Sequence, residues 1–271
     1  MALAPPSPSA LDFLTKVALS YASLLGTPLA RSETGLGGNL FYAGELDEEG
    51  RALVVAANIA GAATLVATAD PSAQKQAIRD GVADFGVTTL DEALRILKNQ
   101  LRKRETVAVC VAQSPSEVDR EMNERGVAPE LLRRDLRIPP FHEALLLQQN
   151  ADTPIAPDDA PAETDLSGIP ALVTWRVDSA LPRDLAKLDE IALDCLDSDA
   201  WTARRWQRLS PRYLGRMAQG QRLLDCNREF AARFFEQINQ RAERGEITFG
   251  LEIFSYFRGI HDEYRFAPTK P

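Results

Sequence analysis

Short apolar segments alternate with segments of helical periodicity between residues 39 and about 132, and this alternation is the strongest constraint on the fold. The segments that look like strands are 39–43, 64–68, 84–88, 106–112 and 131–132, and the helical patterns between them cover 52–63, 72–81, 90–102 and 115–125. Strands and helices that alternate over short connections form a parallel sheet with right-handed crossovers. The sequence therefore predicts an α/β fold, with helices flanking a parallel sheet.

The rest of the chain divides by composition. We assign residues 1–150 to this α/β domain, which includes an amphipathic N-terminal helix over about 11–25. Residues 151–170 are rich in proline and acidic side chains, which is typical of an exposed loop or linker. Residues 171–271 are predicted to form one added strand at Leu172–Val177 and helices at about 182–196 and 211–244, giving a mainly helical C-terminal part.

Charge and cysteine content exclude some classes of function. The 271 residues carry a formal charge of −8, which argues against an all-over phosphate-binding surface or a polybasic membrane anchor. No apolar run approaches the roughly 20 residues of a membrane span, and the N-terminus lacks the basic start of an export signal. Cys110, Cys195 and Cys226 form no Cys-x-x-Cys pair. We expect a cytoplasmic protein with idle thiols, no membrane contact and no metal.

The first candidate site is the turn after the first predicted strand. In a wound parallel sheet, a glycine-rich turn and a helix N-terminus at this place hold a pyrophosphate. Here the turn runs from Gly44 to Gly50. Asp70 ends the second strand, where a dinucleotide fold places the acid that binds ribose, but an aspartate before Pro71 is equally a helix N-cap. Gly44, Gly50 and Asp70 are the candidate cofactor-binding residues.

Around this turn the chain resembles the NAD-binding core of the urocanase (urocanate hydratase) family. The resemblance covers residues 39–132 and rests on several motifs in order, which are Leu40–Ala43, Asn58–Thr64, Ala69–Ser72, Leu90–Leu94 and Arg125–Glu130. It implies a Rossmann-like domain and, by the family's chemistry, a tightly held NAD⁺. In that family the nicotinamide ring is an electrophile attacked by the urocanate imidazole, so that water can add across the side chain.

Two departures from the family pattern argue against that chemistry here. The inner glycines of the turn are replaced by Asp47, Glu48 and Glu49, and a carboxylate about 5 Å from a phosphate repels it by roughly 3 kcal/mol. The family's active-site segment is also missing, because Asp135 and His142 do not have its spacing. We therefore expect a catalytically degenerate relative with no bound cofactor, whose crevice binds a small molecule or partner. The alternative is a working hydro-lyase that uses NAD, with new catalytic groups from the C-terminal half.

Two histidines and the acidic turn are further candidates for chemistry. His142 suits a general acid or base and His261-Asp262-Glu263 suits a metal, but with only two histidines in the chain we interpret them as surface or core residues. The acidic turn suits a divalent cation or, more simply, solvent.

A basic stripe in the C-terminal part gives the weakest alternative, nucleotide or RNA binding. Its arginines recur every four residues with Trp201, Trp206 and Tyr213 between them, and they are Arg204, Arg208, Arg212 and Arg216. Pro211 is expected to interrupt this helix, and the acidic segment 151–199 is expected to dock on the stripe. We therefore do not expect a nucleic-acid partner. An apolar face on the helix over about 217–244 indicates a core or a homodimer interface.

Overall fold

The structure is a computed structural model, and it describes residues 8–138, 170–178, 181–218, 220–257 and 260–267. The chain divides into two compact units. The Rossmann-like unit comprises residues 12–138 with 209–217, and the C-terminal unit comprises the described residues among 1–11, 139–208 and 218–271. Of the predicted linker, only Pro170 lies within the described residues, and His142 lies outside them.

The Rossmann-like unit is built on five parallel strands in the order β3-β4-β2-β1-β5. The strands are β1 (Leu40–Glu45), β2 (Ala63–Ala67), β3 (Phe85–Val87), β4 (Val107–Val111) and β5 (Leu131–Leu132). The helices are α1 (Pro8–Leu25), α2 (Glu48–Ala60), α3 (Pro71–Arg79), α4 (Leu90–Lys103) and α5 (Pro115–Arg125). A 3-10 turn, Arg133–Asp135, follows β5. The predicted parallel α/β sheet is confirmed.

Local side chains decide where these helices begin. Asp47, Asp70, Thr89 and Ser114 each precede a helix and accept a hydrogen bond from a backbone N–H group of its first turn. Ser114 and the side chain of Glu117 bond reciprocally, which is a complete capping box. Each such cap stabilises its helix by about 1 kcal/mol, so the starts of these helices are fixed by residues visible in the sequence.

Apolar burial holds the sheet between helices. On one face of the sheet, α4 and α5 pack against the strands in one hydrophobic core. This core includes Tyr42, Leu65, Leu97, Val109 and Met122. Helix α2 is buried along almost its whole length, as its small apolar residues predicted. Since each fully buried aliphatic side chain contributes about 1.5–3 kcal/mol, these faces supply the main stabilisation of the unit.

In its described residues, the C-terminal unit contains an antiparallel sheet in the order β7-β6-β8-β9 and three helices. Its strands are β6 (Pro170–Val177), β7 (Arg222–Asn227), β8 (Leu251–Phe257) and β9 (Ile260–Phe266). Its helices are α6 (Pro182–Cys195), α7 (Trp201–Leu214, whose last residues cluster with the other unit) and α8 (Arg228–Glu243). The predicted strand at Leu172–Val177 is confirmed within β6, and helical segments accompany it as expected.

Two sequence predictions for this part are wrong. The helix predicted over 211–244 is broken by β7, which pairs with β6, and α8 begins only after Asn227, whose side chain accepts from Phe230 N at 2.8 Å. The apolar residues of β7 happen to have helical spacing. They form a strand because they pair with β6, which is distant in sequence. Pro211 does not interrupt α7, which continues to Leu214. Proline removes one backbone hydrogen bond of this helix but does not end it.

A helix that crosses a lipid bilayer needs about 20 predominantly apolar residues. None of the helices in the described part of the chain is both long enough and apolar enough to cross one.

Candidate functional site

The candidate site lies at the carboxyl ends of β1 and β5. Strands β2, β3 and β4 lie on one side of β1 and β5 lies on the other, so the strand order reverses between β1 and β5. Ligands of open α/β sheets bind in the crevice outside the carboxyl ends at such a reversal. The predicted turn, residues 44–50, covers the last two residues of β1 and the start of α2 there, and Arg133 follows β5.

The two glycines of the turn are required by the backbone. Gly44 has φ +71°, a left-handed conformation that favours glycine. At Gly50 an added β-carbon would lie 1.9 Å from the carbonyl oxygen of Glu45, so α2 starts against the end of β1 without room for a side chain. Both positions therefore favour glycine where β1 passes into α2. That either glycine contacts a cofactor remains a prediction.

The N-terminus of α2 already carries an anion of its own. Asp47 is the N-cap, and its Oδ1 accepts from Gly50 N at 2.6 Å. In a dinucleotide-binding turn, backbone N–H groups at this place face a phosphate. Here the Asp47 carboxylate takes up one of them.

Arg133 binds the acidic turn from the other side of the crevice. Its Nη1 lies 3.0 Å from Asp47 Oδ1, and its Nη2 lies 3.1 Å from Asp47 Oδ2 and 2.6 Å from Glu49 Oε2. Burial disfavours the charged guanidinium, but the bonds to Asp47 and Glu49 prevail and raise the pKa of Arg133. Glu48 pairs with Lys16 of α1. The repulsion predicted for these three carboxylates is therefore reduced, because each has a cationic partner.

Asp70 acts as a helix cap at the end of β2. Its Oδ1 accepts from Ser72 N at 2.8 Å, and its own N–H donates to Thr68 Oγ1 at 3.2 Å. The capping interpretation is thus confirmed. A contact between Asp70 and a ribose stays a prediction.

The other candidate groups give no metal site in the described part of the chain. Among those residues, no three His, Cys, Asp or Glu side chains are arranged to hold an ion. His261 lies in β9, but its side chain and those of Asp262 and Glu263 are outside the description. The thiols of Cys110, Cys195 and Cys226 are free, and burial raises the pKa of each.

The arginine stripe is partly used within the C-terminal unit. Arg204 Nη1 donates to the carbonyl oxygens of Leu193 and Leu196 at 3.1 and 2.8 Å. Trp206 is only 4% exposed and donates to Leu223 O, so its ring is not available for stacking on a base. Acidic residues before α7 pair with arginines outside the stripe, namely Asp189 with Arg222, Asp194 with Arg241 and Asp197 with Arg233.

A parallel sheet in this strand order, flanked by helices, defines a Rossmann-like domain. Within that class, residues 21–135 match the family model for the Urocanase Rossmann-like domain. This match agrees with the resemblance that the sequence predicted. The match begins in α1 and ends in the 3-10 turn, so it includes both Asp47 and Arg133.

Proposed function

We propose that this urocanase-related domain is a binding module that no longer holds NAD⁺ in the family's manner. Its crevice instead takes a small molecule or a protein partner. The observation that carries the proposal is the ion-paired network of Asp47, Glu49 and Arg133, which lies where a diphosphate would approach α2.

The residues present do not suit a diphosphate at this terminus. A phosphate there would have to displace the Asp47 carboxylate from Gly50 N and compete with two carboxylates for Arg133. Glu48 and Glu49 side chains are 74% exposed at the mouth of the turn, so they add negative charge to the path of approach. Water screens these charges and lowers the repulsion well below the value for buried groups. The Asp47 carboxylate at the N-terminus of α2 is thus a stronger obstacle to diphosphate binding than the repulsion between charges.

The direct test is the cofactor content of the full chain. Protein purified without added nucleotide is denatured, and the released NAD⁺ is measured by mass spectrometry; calorimetric titration with NAD⁺ follows. We expect no stoichiometric NAD⁺ and no heat of binding. A stoichiometric dinucleotide, or water addition to urocanate by the purified chain, would overturn the proposal.

A gain-of-binding variant tests the stated reason. Replacing Asp47, Glu48 and Glu49 together by glycine removes the competing carboxylates and leaves the Arg133 guanidinium available for a phosphate. We expect at least a tenfold gain in affinity for NAD⁺ or ADP. The control neutralises three exposed carboxylates elsewhere, with Glu105→Gln, Glu124→Gln and Glu236→Gln, and should show no gain. If both triple variants gain the same affinity for NAD⁺ or ADP, the lower net negative charge of the protein explains the gain, and the turn does not.

A second candidate function, an NAD-using hydro-lyase, is favoured by the retained turn geometry. Gly44 keeps its positive φ and Gly50 keeps its close approach to Glu45. In that case ligand binding would have to rotate Arg133 away from Asp47. The cofactor measurement above separates the two candidates, because only the hydro-lyase requires bound NAD⁺.

A ligand of the crevice is identified by its dependence on Arg133. Metabolites are screened by thermal shift against the native chain, and each hit is repeated on Arg133→Ala. A crevice ligand loses or changes its shift in that variant, whereas a ligand bound elsewhere does not.

A further inference from the structure

A second cleft lies at the other end of the strands of the same sheet, at the amino end of β1. The segment between α1 and β1 and the end of α4 line an open cleft of about 620 Å³. It opens beside Asn39, which directly precedes β1, so it lies at the amino end of that strand and away from Arg133. Its polar lining residues include Arg31, Ser32, Thr34, Asn39 and Arg104.

The loop that forms one wall is fixed by backbone hydrogen bonds. Arg31 and Gly35 exchange N–H to carbonyl bonds of 2.9 and 2.7 Å, and Leu36 N donates to Ala60 O at the end of α2 at 2.8 Å. Nη1 of Arg31 donates to the carbonyl oxygens of Pro28 and Ala30 at 2.6 and 3.0 Å. The Arg31 guanidinium is thereby oriented before any ligand is bound.

Arg104 forms the facing wall in an unfavourable backbone conformation. It ends α4 with φ +58°, and among the described non-glycine residues it alone has a positive φ. Glycine fills the corresponding position after α2 and α5. A non-glycine residue kept in this conformation points to a role for its side chain. Within the described part of the chain, no carboxylate lies at ion-pair distance from Arg104.

Two glycines bring the loop against Arg104. A β-carbon at Gly37 would lie 3.1 Å from Arg104 O, and one at Gly38 would lie 3.3 Å from Arg104 Cγ. Gly38 also has φ +90°. Arginines from two different segments therefore share the lining of this cleft.

We propose that this cleft binds a small hydroxylated organic molecule with a single carboxylate or phosphate group. Guanidinium groups bind either oxyanion through paired N–H donors, so Arg31 and Arg104 hold that end of the ligand. The hydroxyls of Ser32 and Thr34 bind the ligand's hydroxyl groups. Glu33 adds one carboxylate to the lining, so the charge suits one oxyanion better than a polyphosphate. The volume is that of an ordinary metabolite pocket.

Amide chemical shifts of the isotope-labelled full chain test this proposal. Inorganic phosphate and gluconate are titrated separately, with sodium chloride at matched ionic strength as the reference. We expect saturable shifts at Gly37, Gly38 and Arg104 with at least one of the two anions and none with sodium chloride. Tighter binding of phosphate assigns a phosphorylated ligand, and tighter binding of gluconate assigns a hydroxy acid.

Variants separate loss of binding from loss of folding. Arg104→Gly removes the guanidinium but suits the positive φ, so we expect affinity to fall at least tenfold while the urea midpoint does not fall. Arg31→Ala should weaken binding similarly, and Arg104→Lys should weaken it less. Arg102→Ala, at an exposed residue two positions before Arg104 and outside the lining, is the control and should bind normally. The proposal is overturned if the shifts do not saturate, if sodium chloride reproduces them, or if they survive both Arg104→Gly and Arg31→Ala.

This test is independent of the crevice at Arg133. A phosphate that acted there would move the amides of Gly44 and Gly50 and leave Gly37 and Gly38 unchanged. That result would contradict the proposed cleft without bearing on the NAD⁺ measurement.

Discussion

The guanidinium of Arg133 pairs with both oxygens of the Asp47 carboxylate, at 3.0 and 3.1 Å. Asp47 caps α2 after β1, and Arg133 follows β5, so this contact joins the two strand ends that flank the reversal of strand order. Its paired geometry needs the planar fork of arginine. The turn that holds a diphosphate in a dinucleotide-binding domain is here tied to the neighbouring strand.

The first prediction concerns the stability supplied by this contact. Arg133→Ala should lower the free energy of unfolding by about 1 kcal/mol, because the pairs are partly exposed and screened. Arg133→Lys should lower it less, since an ammonium group keeps the charge but not the paired geometry. Urea unfolding of the full chain measures both. Arg134→Ala, at the exposed next residue, should change stability by less than about 0.5 kcal/mol; an equal loss there would contradict the prediction.

A second prediction concerns Gly50. Gly50→Ala places a β-carbon 1.9 Å from Glu45 O, so the start of α2 or the end of β1 must move. We expect destabilisation of about 2 kcal/mol or more, as for other overpacked sites, measured by urea unfolding.

Gly81→Ala is the matched control for Gly50→Ala. Gly81 has φ +74° but no atom within 4 Å of an added β-carbon, so only the backbone preference is lost. That loss is about 1–2 kcal/mol. If Gly81→Ala proved the more harmful change, the close approach at Gly50 would not be the limiting contact.

The first half of the fold could be predicted because its signals are local. Ser114 with Glu117 begins α5, Asp70 before Pro71 begins α3, and left-handed Gly126 ends α5. The C-terminal sheet could not, because β7 and β8 are defined by pairing with β6 from a distance in sequence. The helical spacing of apolar residues therefore led to a predicted helix where the structure has strand β7.

The candidate site was also predicted only in part, because some of its residues are close in sequence and others are distant. The turn and its acidic residues were visible, but the partner Arg133 comes from 86 positions later, and only the fold brings it to Asp47. One signal was present, since Arg133 directly follows the last strand of the parallel sheet, whose carboxyl end adjoins that of β1. The cleft at Arg104 was missed, although the Gly35-Leu36-Gly37-Gly38 run marked an unusual loop.

A third prediction concerns alkaline pH. Burial, with a smaller contribution from Glu45, raises the pKa of Cys110 from 9.0 to about 12. Between these values the unfolded chain loses the thiol proton and the folded chain keeps it, so stability falls as pH rises through this window. The contribution to the slope approaches about 1.4 kcal/mol per pH unit.

Cys110→Ala should remove that contribution. The unfolding free energies of the two proteins, measured by urea at several pH values from 8 to 11, should therefore converge as pH rises. In the native state at pH 8, Cys110 should also resist iodoacetamide and react only in denaturant, as peptide mass spectrometry can show. Parallel pH curves, or alkylation of native Cys110, would contradict the assigned pKa.

A fourth prediction concerns the Asp189–Arg222 pair of the C-terminal unit. Both side chains are only 14% exposed, Arg222 Nε lies 3.0 Å from Asp189 Oδ2, and Trp175 Nε1 donates to Asp189 Oδ1 at 3.2 Å. Burial outweighs these partners and raises the pKa of Asp189. Arg222→Ala would leave a buried carboxylate without its cation, so we expect a loss of about 3–5 kcal/mol.

The pH dependence and a double variant identify the cause of that loss. Without Arg222 the pKa of Asp189 rises further, so the folded state gains a proton and the loss should shrink as pH falls from 7 toward 4. Asp189→Leu with Arg222→Met replaces the pair by apolar groups and should cost much less than Arg222→Ala alone. Arg208→Ala, on the exposed face of α7, is the control and should cost less than about 0.5 kcal/mol. A loss in Arg222→Ala that was unchanged by pH and by the second substitution would indicate lost packing of the arginine stem, because an unpaired carboxylate would respond to both.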